Sequence, residues 1–142
     1  MRLAASTDFG LRVLMRLAGA EGAALSTGRM AEELRVSPHH LAKVVRELGR
    51  GSFVDSQRGR HGGLTLARPA EAITVGEVVR HLERRFAMVE CFRADGGDCV
   101  LEPSCRLRPQ LALAREAFMH ALDRTTIADC AWPGVDPPAG TA

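Results

Sequence analysis

A chain of 142 residues is long enough for one domain, or for a small domain with a dimerisation arm. Hydrophobic residues make up 46% and charged residues 25%, as in ordinary globular proteins, whereas aromatic residues at 4% are too scarce for a platform that stacks single-stranded nucleic acid. The net charge of +2 divides unevenly, because residues 1–68 carry +5 and residues 69–142 carry −3. A basic N-terminal half indicates a polyanionic partner.

No stretch approaches the roughly 20 apolar residues of a membrane span. Arg12 and Arg16 interrupt the apolar N-terminal stretch, whereas the apolar region of a signal peptide carries no such charges. We therefore expect a cytoplasmic protein with no membrane partner. In a reducing compartment the four cysteines are better suited to metal binding or redox sensing than to structural disulfides.

The first two predicted helices lie in the basic half. Ser6 or Thr7 can cap a first helix that has Asp8 in its first turn, and apolar residues then recur at helical spacing. A second helix is predicted over residues 27–34, and a tight turn over residues 35–37.

A third helix is predicted to begin at Ser37-Pro38, because Ser is a favoured N-cap and Pro a favoured first helical residue. One face carries an apolar stripe, and the other is polar and basic. The stripe is formed by Leu41, Val44, Val45 and Leu48, and the polar face includes His39, His40, Lys43 and Arg46.

Two short strands follow, over residues 53–57 and 64–67. The hairpin tip between them is rich in glycine and carries Arg58, Arg60 and His61. Two helices joined by a tight turn and followed by a hairpin predict a winged helix-turn-helix.

The remainder of the chain is predicted to hold two helices around a loop. A capping box formed by Thr74 and Glu77 begins a fourth helix that runs to about residue 85. Residues 87–104 indicate a loop, and a long helix follows over residues 104–124. Its apolar stripe consists of Leu107, Leu111, Ala114, Phe118, Ala121 and Leu122.

The third helix is the candidate reading helix, since a helix fits the major groove and reads base edges near its N-terminus. His39, His40 and Lys43 would face the bases, with Ser37 and Arg46 available for phosphate. The wing tip would offer Arg58, Arg60 and His61 to an adjacent minor groove. A helix-turn-helix also occurs in proteins that bind no DNA, and the basic hairpin and charge asymmetry favour the DNA-binding interpretation.

Cys91, Cys99 and Cys105 are separated by seven and five residues on the predicted loop. Thiolates suit iron–sulfur clusters, zinc or copper(I), and the absence of paired C-x2-C motifs argues against a zinc knuckle. Three unrelated cysteines or a simple thiol sensor are the alternatives. Cys130 lies beyond the last helix and is interpreted as a packing thiol.

These segments resemble the Rrf-type family of winged-helix regulators, and within it the branch of nitric-oxide-sensing repressors. The resemblance covers residues 1 to about 131. It is carried by Ser37-Pro38-His39-His40-Leu41-Ala42-Lys43-Val44-Val45, by Gln57-Arg58-Gly59-Arg60-His61-Gly62-Gly63, and by Glu90-Cys91-Phe92 with Cys99 and Cys105.

The resemblance implies a homodimer that binds double-stranded promoter DNA, and an iron–sulfur cluster on Cys91, Cys99 and Cys105. The position that matches the fourth ligand, supplied by the other subunit, is Asp8, with Arg12 one turn further on to hold its carboxylate. A [4Fe–4S] cluster is favoured and [2Fe–2S] is the alternative, because the interval between Cys91 and Cys99 is about two residues longer than the family pattern.

The sequence thus predicts a mainly α-helical, non-enzymatic repressor that responds to nitric oxide. The alternatives are a sibling regulator that senses iron or cluster status, and a zinc-binding or thiol redox-sensing repressor. The expected regions are a winged helix-turn-helix (residues 1–85), a cluster-binding loop (86–106), a dimerisation helix (107–131) and a disordered tail (132–142).

Overall fold

The structure is a computed structural model that describes residues 3–57, 62–84 and 87–134. In these residues the regular elements are α1 (Ala5–Ala18), α2 (Thr27–Leu34), α3 (Pro38–Arg50), β1 (Val54–Gln57), β2 (Gly63–Leu66), α4 (Val75–Glu83) and α5 (Leu107–Asp123). None of these helices combines the length and apolar character that a membrane crossing requires. The predicted wing-tip residues Arg58, Arg60 and His61, and residues 135–142 of the predicted tail, lie outside the described part of the chain.

Helices α2 and α3 form the predicted helix-turn-helix, and each begins at a serine cap. The Ser26 hydroxyl accepts a hydrogen bond from the Arg29 amide at 3.2 Å, and the Ser37 hydroxyl accepts one from the His40 amide at 3.3 Å. Between the helices, Arg35 adopts a left-handed conformation (φ +52°) that ends α2 and turns the chain toward α3.

The wing is an antiparallel pair of strands in which Val54 faces Leu66 and Gln57 faces Gly63. The side chains of Phe53, next to β1, and of Leu64, within β2, are buried. The amide of Leu25, ahead of α2, donates a hydrogen bond to the Leu64 carbonyl at 3.0 Å, which ties the wing to the helix-turn-helix.

A single hydrophobic core lies between α1, α3, α4 and the wing. Val13 and Leu14 of α1 are fully buried in it, together with Leu48 of α3 and Val78 of α4. Gly10 allows α1 to approach closely, because a Cβ atom there would lie 2.6 Å from Leu82 Cδ1 and 3.7 Å from side-chain atoms of both Val44 and Leu48.

Two sequence predictions need correction. Helix α1 begins at Ala5 with Ala4 as its N-cap, so neither Ser6 nor Thr7 caps it, and the Thr7 side chain is buried. The long helix begins at Leu107 rather than at residue 104, because Glu102–Ser104 form a separate 3-10 turn.

Candidate DNA interface and cysteine segment

The polar face of α3 is accessible along its length. The five residues predicted to contact DNA here are all exposed, whereas the apolar stripe on the other side is buried at Leu41, Val44 and Leu48. The five are Ser37, His39, His40, Lys43 and Arg46. The hydroxyl of Ser37 accepts from the His40 amide and still has a proton to donate, so capping the helix does not prevent a phosphate contact.

Several arginines near this face are neutralised by carboxylates. Arg29 pairs with Glu33 at 2.7 Å, and Arg50 pairs with Glu47. Lys43 and Arg46 take part in none of the ion pairs of the described residues. The positive charge that α3 presents to a polyanion is therefore concentrated at these two residues.

The cysteine segment (residues 87–106) lies between α4 and α5 in sequence and contains short turns. Cys91 lies in the 3-10 turn Glu90–Phe92, Cys99 precedes the 3-10 turn Glu102–Ser104, and Cys105 follows that turn. Gly96 and Gly97 have positive φ angles of +82° and +60°. A Cβ atom at Gly97 would come within 2.7 Å of the Glu90 carbonyl oxygen, so the segment folds back on itself there.

The donor chemistry of this segment fits an iron–sulfur cluster. Cys91, Cys99 and Cys105 are free thiols and each is half-buried, which makes them available as soft ligands. Within the described residues, no three His, Cys, Asp or Glu side chains stand close enough to hold a metal ion. The single chain therefore supplies suitable ligands without assembling them, and the grouping of the three cysteines stays a prediction.

Asp8 and Arg12 form a two-point ion pair on the surface of α1. Arg12 Nε lies 3.2 Å from Asp8 Oδ1 and Arg12 Nη2 lies 2.7 Å from Oδ2, and both side chains are half exposed. The Arg12 guanidinium also lies 5.8 Å from the centre of the Phe9 ring. The Asp8 carboxylate thus lies at the protein surface, where Arg12 contacts both of its oxygens.

The last turn of α4 makes contacts that the sequence analysis missed. Glu83 Oε1 accepts hydrogen bonds from the Ala4 amide at 2.8 Å and from the Thr7 hydroxyl at 2.5 Å. Arg84 Nη2 donates to Glu47 Oε2 of α3 at 2.9 Å. These partners are between 37 and 79 residues apart in sequence, so no local pattern could have indicated them.

Comparison with known proteins decides the family. The family model Rrf2, described as an iron-dependent transcriptional regulator, matches residues 3–132. The chain belongs to the Rrf2 family. As an Rrf2 regulator it is similar to proteins named HTH-type transcriptional regulator NsrR, with 46% identity to that of Geobacillus kaustophilus (91% of this chain and 88% of the relative) and 42% to that of Bacillus subtilis (91% and 89%). The resemblance found in the sequence is confirmed.

Solved Rrf2-like structures confirm the fold class as well. CymR, the global cysteine regulator of B. subtilis, superposes with a TM-score of 0.73 at 30% identity, and the match covers 92% of this chain and 96% of the CymR chain. IscR of T. potens superposes with a TM-score of 0.69 at 24% identity, covering 91% and 85%, and supports the fold alone. This Rrf2 protein is therefore a transcriptional regulator with a winged helix-turn-helix and a long C-terminal helix.

Proposed function

We propose that this Rrf2 regulator is a repressor that binds promoter DNA as a homodimer and responds to nitric oxide through an iron–sulfur cluster. The observation that carries the proposal is the pairing of two features: three free, half-buried thiols on one segment, and an arginine-held carboxylate on the helix that packs against α3. The similarity to NsrR proteins supports the same function.

In this proposal Cys91, Cys99 and Cys105 of one subunit hold the cluster, and Asp8 of the partner subunit supplies the fourth ligand. A [4Fe–4S] cluster matches three thiolates and one weaker oxygen ligand, and [2Fe–2S] is the alternative. When bound, the cluster would supply iron, with which nitric oxide can react at the position held by the weaker ligand.

The protein's own contribution is to connect Asp8 to the reading helix. Arg12 orients the Asp8 carboxylate, and Gly10, two residues from each of them, brings α1 against Val44 and Leu48 of α3. Because packed interiors transmit displacement, a change in where Asp8 is held shifts α3 relative to the DNA. A two-fold dimer must place two reading helices about 34 Å apart, so small shifts disrupt both half-sites together.

The energy required is modest when two subunits share it. Changing operator occupancy from 99:1 to 1:99 needs a difference of about 5.5 kcal/mol in DNA affinity between the two states. Each subunit then contributes about half of that, which is comparable to the loss of one or two good base contacts.

The test is anaerobic purification, followed by iron and sulfide analysis, titration with nitric oxide monitored by absorbance, and gel shifts with promoter DNA. We expect a coloured protein that loses its iron in Cys99→Ala and keeps it in the matched control Cys130→Ala. Asp8→Ala is expected to retain some cluster and to show an altered response to nitric oxide. A colourless wild type with stoichiometric zinc would contradict the proposal.

A second candidate is a sibling regulator that senses iron or cluster status, or the redox state of its thiols. The structural likeness to CymR, the global cysteine regulator of B. subtilis, favours keeping this candidate. It predicts that iron supply or thiol oxidation changes DNA affinity while nitric oxide, at stoichiometric amounts, does not.

A further inference from the structure

The last turn of α4 contacts both α1 and the reading helix, and it lies shortly before the cysteine segment in sequence. Residues 81–84, here called the α4 junction, lie two residues ahead of the cysteine segment in sequence, and each makes a contact with one of those helices. His81 Nε2 lies 2.8 Å from the Glu47 carbonyl oxygen of α3, and Arg84 pairs with the Glu47 carboxylate. Leu82 packs against Gly10 of α1, and Glu83 binds the N-terminus of α1.

Glu83 supplies the side-chain cap that the residues of α1 do not provide. The N-cap residue Ala4 offers no side-chain acceptor, and Glu83 Oε1 accepts from its backbone amide. In a capping box that role belongs to a Glu or Gln of the same helix, whereas here the carboxylate comes from 79 residues further on. Its negative charge also complements the positive end of the helix dipole.

Thr7 makes the contact specific. Thr7 precedes Asp8 in the sequence and its side chain is fully buried. The Thr7 hydroxyl donates a hydrogen bond to the same Glu83 oxygen, Oε1. Buried hydroxyl groups are costly to leave unpaired, so the Thr7–Glu83 bond fixes the first turn of α1. The direction in which Asp8 projects therefore depends on where α4 ends.

We propose that Glu83 is a positioning residue for Asp8, and that the α4 junction transmits the state of the cysteine segment to α1 and α3 of the same subunit. This inference rests on the proposed function for its link to DNA affinity. The proposed function couples the cluster to α1 of the partner subunit through Asp8. The α4 junction would add a second coupling, from the cysteine segment to α1 and α3 of the same subunit.

The first experiment needs no metal. It measures amide hydrogen exchange at residues 4–8 of the iron-free chain, before and after iodoacetamide alkylates Cys91, Cys99 and Cys105. All variants carry Cys130→Ala, so that the fourth thiol is not alkylated. We expect Glu83→Ala to speed this exchange about fivefold, the effect of losing a helix cap. Thr7→Val should reproduce part of the effect, and the exposed carboxylate variant Glu71→Ala should leave exchange unchanged. Alkylation should alter exchange in the Glu83-containing chain and not in Glu83→Ala.

The second experiment measures the ratio of operator affinities of the iron-loaded and iron-free proteins. Glu83→Ala should reduce that ratio about fivefold, and should reduce it no further in an Asp8→Ala background, because Glu83 acts through Asp8. If Glu83 only stabilises the fold, Glu83→Ala will lower the operator affinities of the iron-loaded and iron-free proteins equally. That result would overturn the inference. Unchanged exchange at residues 4–8, or equal responses to alkylation with and without Glu83, would also overturn it. A wild type without iron would refute the proposed function and leave the exchange experiment to decide on Glu83.

Discussion

Arg16 is a charged residue of α1 that is buried against α2. Its side chain is only 4% exposed and its guanidinium binds the Glu33 carboxylate of α2, which is 9% exposed, with Nε 2.5 Å from Oε2. Removing one partner of such a pair leaves a buried charge without compensation. The pair thus holds α1 and α2 in a fixed relation.

We expect Glu33→Ala to lower the free energy of unfolding by about 3 kcal/mol, measured by urea denaturation at pH 7. The exposed neighbour Glu32 belongs to the same helix and forms no ion pair in the described residues, so Glu32→Ala is the matched control and should change stability little. Equal losses in the two variants would show that the Arg16–Glu33 pair contributes nothing specific.

The same pair predicts how stability depends on pH. The hydrogen bond from Arg16 is the main cause that lowers the pKa of Glu33 below its usual value, with a further contribution from Arg29. A carboxylate whose folded pKa is lowered contributes stability above its unfolded pKa, and the contribution is lost as pH falls through the folded pKa. Wild type should therefore lose stability more steeply than Glu33→Ala below about pH 4.3.

Among the elements, α4 and α5 come into close contact at Gly76. A Cβ atom there would lie 2.1 Å from Asp123 Oδ1 and 3.0 Å from the Asp123 amide nitrogen, so a side chain would collide with the carboxylate and would crowd the backbone. Arg80 binds the same carboxylate, with Nη1 2.7 Å from Oδ1, and this hydrogen bond is the main cause that lowers the pKa of Asp123. The contact fixes the C-terminal end of α5 against α4.

We expect Gly76→Ala to destabilise the protein by about 2 kcal/mol because of overpacking at this contact. Gly28→Ala is the control, since nothing lies within 4 Å of a Cβ atom there and alanine favours the helix by about 0.5–1 kcal/mol. Urea denaturation should give changes of opposite sign, and a neutral Gly76→Ala would contradict the close approach.

Elements that begin at a local signal were predictable from sequence, and those that begin through tertiary contacts were not. Ser37 and Thr74 accept the amide hydrogen bonds that their patterns indicate. Thr7 has the same capping chemistry, but its hydroxyl is bound by Glu83 from α4 and α1 begins earlier. For the candidate site, the exposed face of α3 followed from periodicity, while the α4 junction depends on long-range pairs that periodicity does not encode.

For the whole molecule, the exposed apolar surface of α5 is the feature that bears on the proposed homodimer. No residue of α5 is buried, and Leu107 of the predicted apolar stripe and Leu113, which lies outside that stripe, are 60% and 67% exposed. Apolar side chains exposed along one helix are typical of an interface. The proposed homodimer would cover them and would present two reading helices to one operator.

Leu113→Glu should therefore convert the protein to a monomer, as measured by sedimentation equilibrium. Operator affinity should fall about 100-fold, because a second half-site bound by a tethered subunit adds at least that factor. The same acidic charge at Ala131, which is exposed and lies outside α5, should leave both mass and affinity unchanged. If Leu113→Glu keeps the wild-type mass, α5 is not the dimer interface and the route by which Asp8 of one subunit reaches the cysteines of the other must lie elsewhere.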